Sequence, residues 1–561
     1  MIKIGVYDRY LSTLGGGERY SCKIAEVLSR QKEYSVDLVT DIYEDLKKVS
    51  ERLNLDLSRV SLKVFPFLSE EYAKKITSYY DIFINATYLS SLSAYGRKNL
   101  YLCYFPTPFD VDFKLIHRFL LLFLRLPAVW LFKFADRLCN GFMKIEVEQG
   151  LYEPKRFLLR RGSWSSGKVV LSVKKMKETF RISFKNPASS GLDLMKVSIE
   201  IPGNEINITR RNNGSRIIGS DNSRNNNKIL YSQNIILKRN IKKVIEIPRR
   251  FCNKSYRIII TSNTFIPGVE NKTLEDSRKL GVVIYNESRT GFVKKIILKI
   301  IGFIPLFLIT YPKDLKFLET YNKIISISEY SRNWIRKLWK KDSILLFPPV
   351  DIDSFKVRKK EKIILSVGRF FPEHHNKKQL ELARVFGELY STYPEIMSGY
   401  TLYLVGGVEQ RKSHLEYVEK IKDISKNYPV KIMTNIRWEE LIEIFSKASV
   451  FWHGAGVGED EEKHPEKFEH FGITTVEAMA SGCISVVINK GGQKEIIKDG
   501  EDGFLFESWS ELKDITLRVC RGNINVEAVR EKAVKNCRKF SSYNFEKNLL
   551  SLIRKELKTQ K

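Results

Sequence analysis

Apolar and polar positions follow two rhythms along the chain. In the first, short unbroken apolar runs alternate with helical patterns. "IKIGVYD" reads as a buried strand, "LGGGE" as a glycine turn and "RYSCKIAEVLSRQ" as a helix. Strand, glycine turn and helix form the opening unit of a doubly wound parallel sheet. "SVDLVTD", "YDIFINAT" and "KNLYLCYF" continue it as strands. Near residue 140 the rhythm changes to short alternating segments: "KVVLSV", "TFRISF", "KVSIEI", "KKVIEI", "YRIIIT" and "GVVIYN". Loops rich in Asn, Ser, Gly and Arg join them. Such alternation, with turn signals and no helical period, predicts an antiparallel sandwich over 140–290. The first rhythm then resumes with the strand "KIISIS" and the helix "EYSRNWIRKLWKK". "FPPVDIDSFKVRKKEK" is proline-rich and then charged, as a linker is. "KIILSVGRF" opens a second α/β unit, with strands "YTLYLVGG", "VKIMTN", "SVFWHGA" and "CISVVIN".

The pattern predicts an α/β chain in five segments. Residues 1–139 start an N-terminal parallel-sheet domain, 140–290 form a β-sandwich inserted in it, and 291–352 complete it. Residues 353–535 form a second parallel-sheet domain, and 536–561 form terminal helices. Two segments break the pattern by being greasy and basic at once. "RFLLLFLRLPAVWLFKF", within 117–134, is interrupted by Arg125 and Pro127. "FVKKIILKIIGFIPLFLI", within 292–311, carries Lys294, Lys295 and Lys299. Neither reaches the roughly 20 uninterrupted apolar residues of a spanning helix. Both predict helices lying in the interface of an anionic leaflet, with a pair of buried core helices as the alternative.

Composition sharpens this picture. The 561 residues carry a formal net charge of +30. Such a chain attracts an anionic partner: a membrane, a phosphorylated substrate or nucleic acid. No nucleic-acid recognition motif accompanies the charge, so no nucleic-acid partner is expected. Seven cysteines without a CxxC pair argue against a zinc site or a disulfide framework and fit a reducing compartment. No signal peptide is read at the start. The expectation is a cytoplasmic protein bound peripherally to the cytoplasmic face of a membrane.

The candidate chemistry begins at "HPEKFEHFGITTVEAMASGC", His464 to Cys483. Gly472 and the paired threonines Thr474 and Thr475 predict a helix that starts only near Ile473. Glu469 then stands in a loop and Glu477 in the helix. A loop-to-helix junction binds phosphate, and carboxylates accept hydrogen bonds from sugar hydroxyls. Arg369, at the end of "IILSVGRF", with Lys377 or Lys378 after it, makes a diphosphate clamp. Gly15, Gly16 and Gly17 let a backbone approach a phosphate, and "NKGGQKEII" repeats that device. His453 either lines the site or caps its strand end. The triplets "DVD" at 110–112 and "DID" at 351–353, and the pairs His374 with His375 and His464 with His470, lack coherent ligand spacing, so no metal is expected.

Together "GGGERY", "SVGRFFPEHHNKKQ", "LYLVGG", "EHFGITTVEAMASGC" and "NKGGQKEIIKDGEDGFLF" resemble the family 4 glycosyltransferases, retaining enzymes of the GT-B fold with an E-x7-E motif. The resemblance covers about 1–138 and 290–555 and is stronger in the second stretch. It implies two facing Rossmann-like domains, here with a β-sandwich inserted. It implies a nucleotide-diphosphate sugar donor, GDP- or UDP-linked, and no cofactor. By position Arg369, Lys377 and Glu469 become the catalytic set, the first two on the diphosphate and Glu469 on the sugar. Glu477 takes the ribose. Gly15, Gly16, Gly17, Lys378, Gly406, His453, His470, Phe471, Gly472 and Ile473 complete the donor site. Glu18 and Tyr104 belong to the acceptor side, and Tyr104 replaces a histidine found in many relatives. The implied function is transfer of a sugar, mannose first, to a lipid-linked oligosaccharide or polysaccharide acceptor. The alternative is a non-catalytic glycan-binding partner that keeps the fold.

Overall fold

The structure is a computed structural model. It describes residues 1–558 except 14, 66–69, 110–114, 139–144, 153–161, 177–178, 188–189, 191, 203–228, 266–279, 288–299, 301–303, 305–307, 309–310, 313, 374–375 and 410. The chain divides into two compact units. One joins Met1–Leu14, Ser29–Arg97 and Phe113–Thr320; the other joins Gly15–Leu28, Lys98–Asp112 and Tyr321–Lys561.

The chain begins β1 (Ile2–Tyr7), α1 (Gly16–Ser29), β2 (Tyr34–Thr40), α2 (Leu46–Leu53), β3 (Val60–Val64), α3 (Glu70–Thr77), β4 (Ile82–Asn85) and β5 (Lys98–Cys103). In the first unit the strands run in the order β4-β1-β2-β3, all parallel. Ile4, Val6, Leu38, Val39 and Ile82 are fully buried, as expected of strands covered on both faces. Asp45 caps α2 by accepting the Lys47 N–H, and Asn54 closes it in a left-handed conformation.

The apolar segment at 117–134 is a helix, α4 (Leu115–Leu138). It leaves Leu115, Phe119, Leu122, Leu126 and Trp130 exposed. Among the described residues no helix is long and apolar enough to cross a membrane. Of the second greasy segment, 292–311, only 300, 304, 308 and 311 lie within the described residues.

The sandwich comprises β6 (Ile145–Leu151), β7 (Ser163–Val173), β8 (Arg181–Lys185), β9 (Leu194–Pro202), β10 (Ile229–Lys238), β11 (Lys242–Glu246), β12 (Tyr256–Ser262) and β13 (Val283–Asn286). The order is β10-β9-β12-β7-β13-β8-β11, with β6 also on β7, and every pairing is antiparallel. In β9, Met195, Val197, Ile199 and Ile201 point inward while Lys196, Ser198 and Glu200 point out. That alternation is what the sequence showed. Two strands were not foreseen. β6 carries register shifts after Val147 and Gln149 that break its period. β10 is an edge strand that buries only Ile235 and Leu237, so it reads as a polar stretch.

The second unit holds three more parallel strands, β5, β14 (Lys323–Ser326) and β15 (Ile344–Leu345), in the order β15-β14-β5. Between β14 and β15 runs α5 (Glu329–Trp334), capped by Ser328 and followed by a π-type turn, Ile335–Trp339. The expected linker at 347–362 is tied down. Phe355 packs on Trp438 and Phe445. Lys360 Nζ donates to the carbonyls of Ser446 (2.9 Å) and Ser481 (2.6 Å), the last turns of two helices.

The second sheet follows: β16 (Glu361–Val367), α6 (Gln379–Thr392), β17 (Thr401–Gly406), α7 (Lys412–Ser425), β18 (Val430–Thr434), α8 (Trp438–Lys447), β19 (Ala448–His453), α9 (Ile473–Ala480), β20 (Ile484–Ile488) and β21 (Phe504–Phe506). The order β18-β17-β16-β19-β20-β21 is wholly parallel. All five residues of β20 are buried. Helices α10 (Trp509–Cys520), α11 (Val526–Asn536) and α12 (Ser542–Lys558) end the chain. The fold class is thus as expected: α/β with parallel sheets and an antiparallel sandwich.

Candidate active site

In a parallel α/β sheet, ligands meet the loops at the carboxyl ends of the strands. Those of β16, β17, β19 and β20 carry most of the candidate residues, and all of these belong to the second unit. At the end of β16, Gly368 and Arg369 are held by the Gln379 side chain, whose amide donates to both of their carbonyls at 3.0 Å. The Arg369 guanidinium is exposed and lies 5.7 Å from the Phe371 ring centre. Among the described residues no carboxylate pairs with it.

Lys377 and Lys378 part company. Lys377 Nζ lies 2.5 Å from Glu469 Oε2. Lys378, in a left-handed conformation at φ 60°, turns to Glu459 at 3.3 Å. Glu459 also binds Lys467. The stretched Arg-to-Lys spacing is therefore absorbed before Lys377, and Lys377 is the lysine joined to the glutamate. His374 and His375 lie outside the described residues, as does the triplet at 110–112.

Glu469 is the hub. Its Oε2 also meets His453 Nε2 at 2.9 Å. His453 is buried at the end of β19, so it lines the glutamate's site. Burial pushes the Glu469 carboxyl up, but Lys377 and His453 outweigh it and hold it well below the usual carboxylate range. The glycine pair fixes the hub from behind. Gly492 N–H donates to the Glu469 carbonyl at 2.7 Å, and a Cβ on Gly492 would press on the His470 and Phe471 backbone.

The predicted loop-to-helix switch is present. Gly472 sits at φ 116° as the residue before α9, a conformation that excludes most side chains. Glu477 lies in α9 and is almost fully buried. Burial pushes its carboxyl up to about 7; Arg19 pulls it back and Asp351 adds to the rise. His470 stacks on Phe105 with ring centres 4.2 Å apart, and His464 faces Glu466 at 3.4 Å. These two histidines have separate packing roles.

The N-terminal glycines are next to this junction. A Cβ on Gly16 would stand 3.6 Å from the Ile473 side chain. Gly16 and Gly17 are the first residues of α1, and Tyr104 Oη donates to the Gly17 carbonyl at 2.9 Å. The Gly15 N–H is taken by the Glu18 carboxylate at 2.6 Å. Gly406 has a packing reason of its own, because a Cβ there would collide with the Gly368 carbonyl.

Three contributors escaped the sequence reading. Arg19 was passed over as part of the helix after the glycines, although it neighbours them. Glu461 accepts the Gly491 N–H at 2.8 Å; its acidic run reads as solvated loop. Glu495 accepts the N–H groups of Glu329 (2.9 Å) and Tyr330 (3.2 Å), capping α5. Burial pushes its carboxyl up to about 7.

Known proteins resemble this part of the chain. Residues 349–538 match the family described as glycosyl transferases group 1. A GDP-Man:Man(3)GlcNAc(2)-PP-Dol alpha-1,2-mannosyltransferase from Dictyostelium discoideum is 28% identical over 261 residues, 44% of this chain and 49% of its own. An alpha-1,3/1,6-mannosyltransferase ALG2 from Rhizomucor pusillus is 27% identical over 210 residues, 32% of this chain and 45% of its own. The chain spans about half the length of the curated relatives it matches. Among solved structures, Anabaena Alr3699/HepE in complex with UDP-glucose aligns over 99% of this chain and 100% of its own, at 11% identity and a TM-score of 0.47.

Proposed function

We propose that the chain is a retaining glycosyltransferase. It moves a sugar, mannose first, from a GDP- or UDP-linked donor to a lipid-linked oligosaccharide or other glycan. It works at the cytoplasmic face of a membrane, to which the exposed apolar face of α4 attaches it. The observation that carries this reading is the joining of Lys377 and His453 on Glu469, with Arg369, unpaired with acid among the described residues, at the end of β16, all within the stretch that matches group 1 glycosyl transferases. The names of the matched relatives, which specify GDP-Man and a PP-Dol acceptor, support the donor and acceptor class.

The residues divide the work by charge. Breaking the anomeric C–O bond builds positive charge on the sugar and negative charge on the departing diphosphate. Arg369, unpaired with acid among the described residues, is available to the diphosphate. Lys377 joins it and offsets Glu469 meanwhile. Both cations bind the leaving group more strongly as its charge grows, which is the differential binding that speeds the step. Glu469, kept ionised by Lys377 and His453, accepts from sugar hydroxyls and faces the positive centre. Glu477 accepts from the ribose.

Tyr104, in place of a histidine common in relatives, favours a second reading: a glycan-binding protein without turnover. One experiment separates them. GDP-mannose should raise the melting temperature and be consumed with a lipid-linked acceptor. Lys377→Met should cut turnover by about 10²- to 10³-fold, as loss of one charge-stabilising donor does. Lys378→Met, tied to Glu459, should cost less than about tenfold. Stabilisation by donor without any turnover would leave the binding reading. No stabilisation by GDP- or UDP-sugars, or equal losses in the two variants, would overturn the site assignment.

A further inference from the structure

The positive charge is unevenly spread. Residues 145–286 hold 27 Lys and Arg against 12 Asp and Glu, half of the net +30 in a quarter of the length. Strand register concentrates part of it at one edge of the sandwich, the rim formed by the ends of β7 and β12. Tyr256 of β12 pairs with Val173 of β7, and Asn253 N–H donates to the Met176 carbonyl at 2.7 Å. The segments 174–176 and 253–255 therefore run side by side, with Lys175 across from Lys254. Arg257 follows in register with Ser172, and Arg250 precedes, its guanidinium on the Leu230 carbonyl. Lys175, Arg250, Lys254 and Arg257 are exposed. From α3 of the same unit Lys75 reaches Lys174, amine to amine. Burial, and then that second amine, push Lys75 down to about 7. Among the described residues, Glu146 of β6 is an acid in register with Ser172. Two amines in contact mark a place where an anion relieves repulsion.

The same register places the start of β6, which follows α4 in the chain. Ile145, the first residue of β6, pairs with Val173 beside Lys174. Only residues 139–144 separate it from the end of α4, a reach of at most about 25 Å. Along α4, Leu115, Phe119, Leu122, Leu126 and Trp130 recur at helical spacing and are 82%, 60%, 74%, 78% and 66% exposed. An exposed apolar helix and a basic set of strand ends thus belong to one unit, six residues apart in sequence.

We propose that this basic edge of the sandwich is the headgroup-binding half of a membrane-docking surface, in which α4 supplies the apolar half and Lys174, Lys175 and Lys254 take the phosphates of anionic lipids. It rests on the membrane reading given above. Interfacial binding combines buried apolar area with attraction of cations to anionic lipid. The sandwich then does more than fill an insertion site: it makes docking depend on lipid charge and salt.

The test uses the whole protein and vesicles of phosphatidylcholine, with or without phosphatidylglycerol. Wild type should prefer the anionic vesicles, and salt should erase the preference. Lys174→Gln, Lys175→Gln and Lys254→Gln together should weaken binding to anionic vesicles by about 100-fold, at about fivefold per lysine. Binding to neutral vesicles should not change, and the melting temperature should not fall. Leu122→Ser with Leu126→Ser should weaken binding to both vesicle types. If the lysine variant binds anionic vesicles like wild type, the inference falls while the membrane reading stands. If wild type binds neither vesicle, the membrane reading itself falls. If inorganic polyphosphate binds through these lysines while phosphatidylglycerol adds nothing, the partner is a soluble polyanion and the inference is overturned.

Discussion

At the residue scale, the two glutamates of the E-x7-E pair live in opposite environments. Glu469 is charged and compensated; Glu477 is buried with only partial compensation from Arg19. The spacing was legible in the sequence, because a glycine and two threonines mark where the helix begins. The partners were not. Arg19 and Glu477 are 458 positions apart, and nothing in either segment names the other. The choice between Lys377 and Lys378 likewise needed the left-handed turn at Lys378, which directs neighbouring side chains to different acids. The pH behaviour of Glu477 follows. Its folded pKa of about 7 lies above the unfolded value near 4.3. Below pH 4 the group is protonated in both states and costs nothing. As pH rises through this window the unfolded chain ionises first, so stability falls until about pH 7 and then levels. Glu477→Gln removes that slope. It should stabilise the ligand-free protein by about 3 kcal/mol at pH 8 and by little at pH 4, while weakening donor binding. Melting curves at the two pH values check it; an equal shift at both would refute the assigned pKa.

At the element scale, the strands that the sequence revealed are those whose side chains report their burial. The parallel strands β16, β19 and β20 are continuous apolar runs because both faces are covered. The sandwich strands alternate because one face is wet. β6 and β10 were missed where a bulge or an edge position dilutes that signal. The helix expected over "EYSRNWIRKLWKK" turns into a π-type turn at Ile335, which a residue count alone does not foretell. Glycines divide by cause in the same way. Gly406 is required by contact, since any Cβ meets the Gly368 backbone where β16 and β17 end together. Gly500 is required only by conformation: φ is 71°, and open space surrounds it. Gly500→Ala should therefore cost about 1 kcal/mol, the usual strain of a left-handed residue. Gly406→Ala should cost more than about 3 kcal/mol, because backbone must move to make room. Denaturant midpoints for the two variants test this; a Gly406→Ala protein as stable as Gly500→Ala would show that the backbone at the ends of β16 and β17 yields.

At the scale of the whole molecule, the sandwich is separable from the chemistry. Its core is drawn from residues 145–284 alone, with Tyr43 packed at its margin. Every residue assigned to the donor belongs to the other unit. The change of rhythm near residue 140 made the antiparallel sandwich legible. What it docks against was not, because charge becomes a surface only when register aligns Lys174 and Lys175 with Lys254. Excising the sandwich strands and bridging the gap with a short flexible linker should therefore keep the donor site. Sites this independent couple by no more than about 0.5 kcal/mol, so donor affinity should stay within about twofold. Tyr43 becomes more exposed, which lowers the stability of its own unit somewhat. Transfer to a short soluble acceptor should survive, while transfer to a lipid-linked acceptor in anionic vesicles should fall, because the basic edge is gone. Titrating donor by calorimetry and comparing the two acceptors separates the effects. A folded deletion protein that no longer binds donor would show that the insert belongs to the active site.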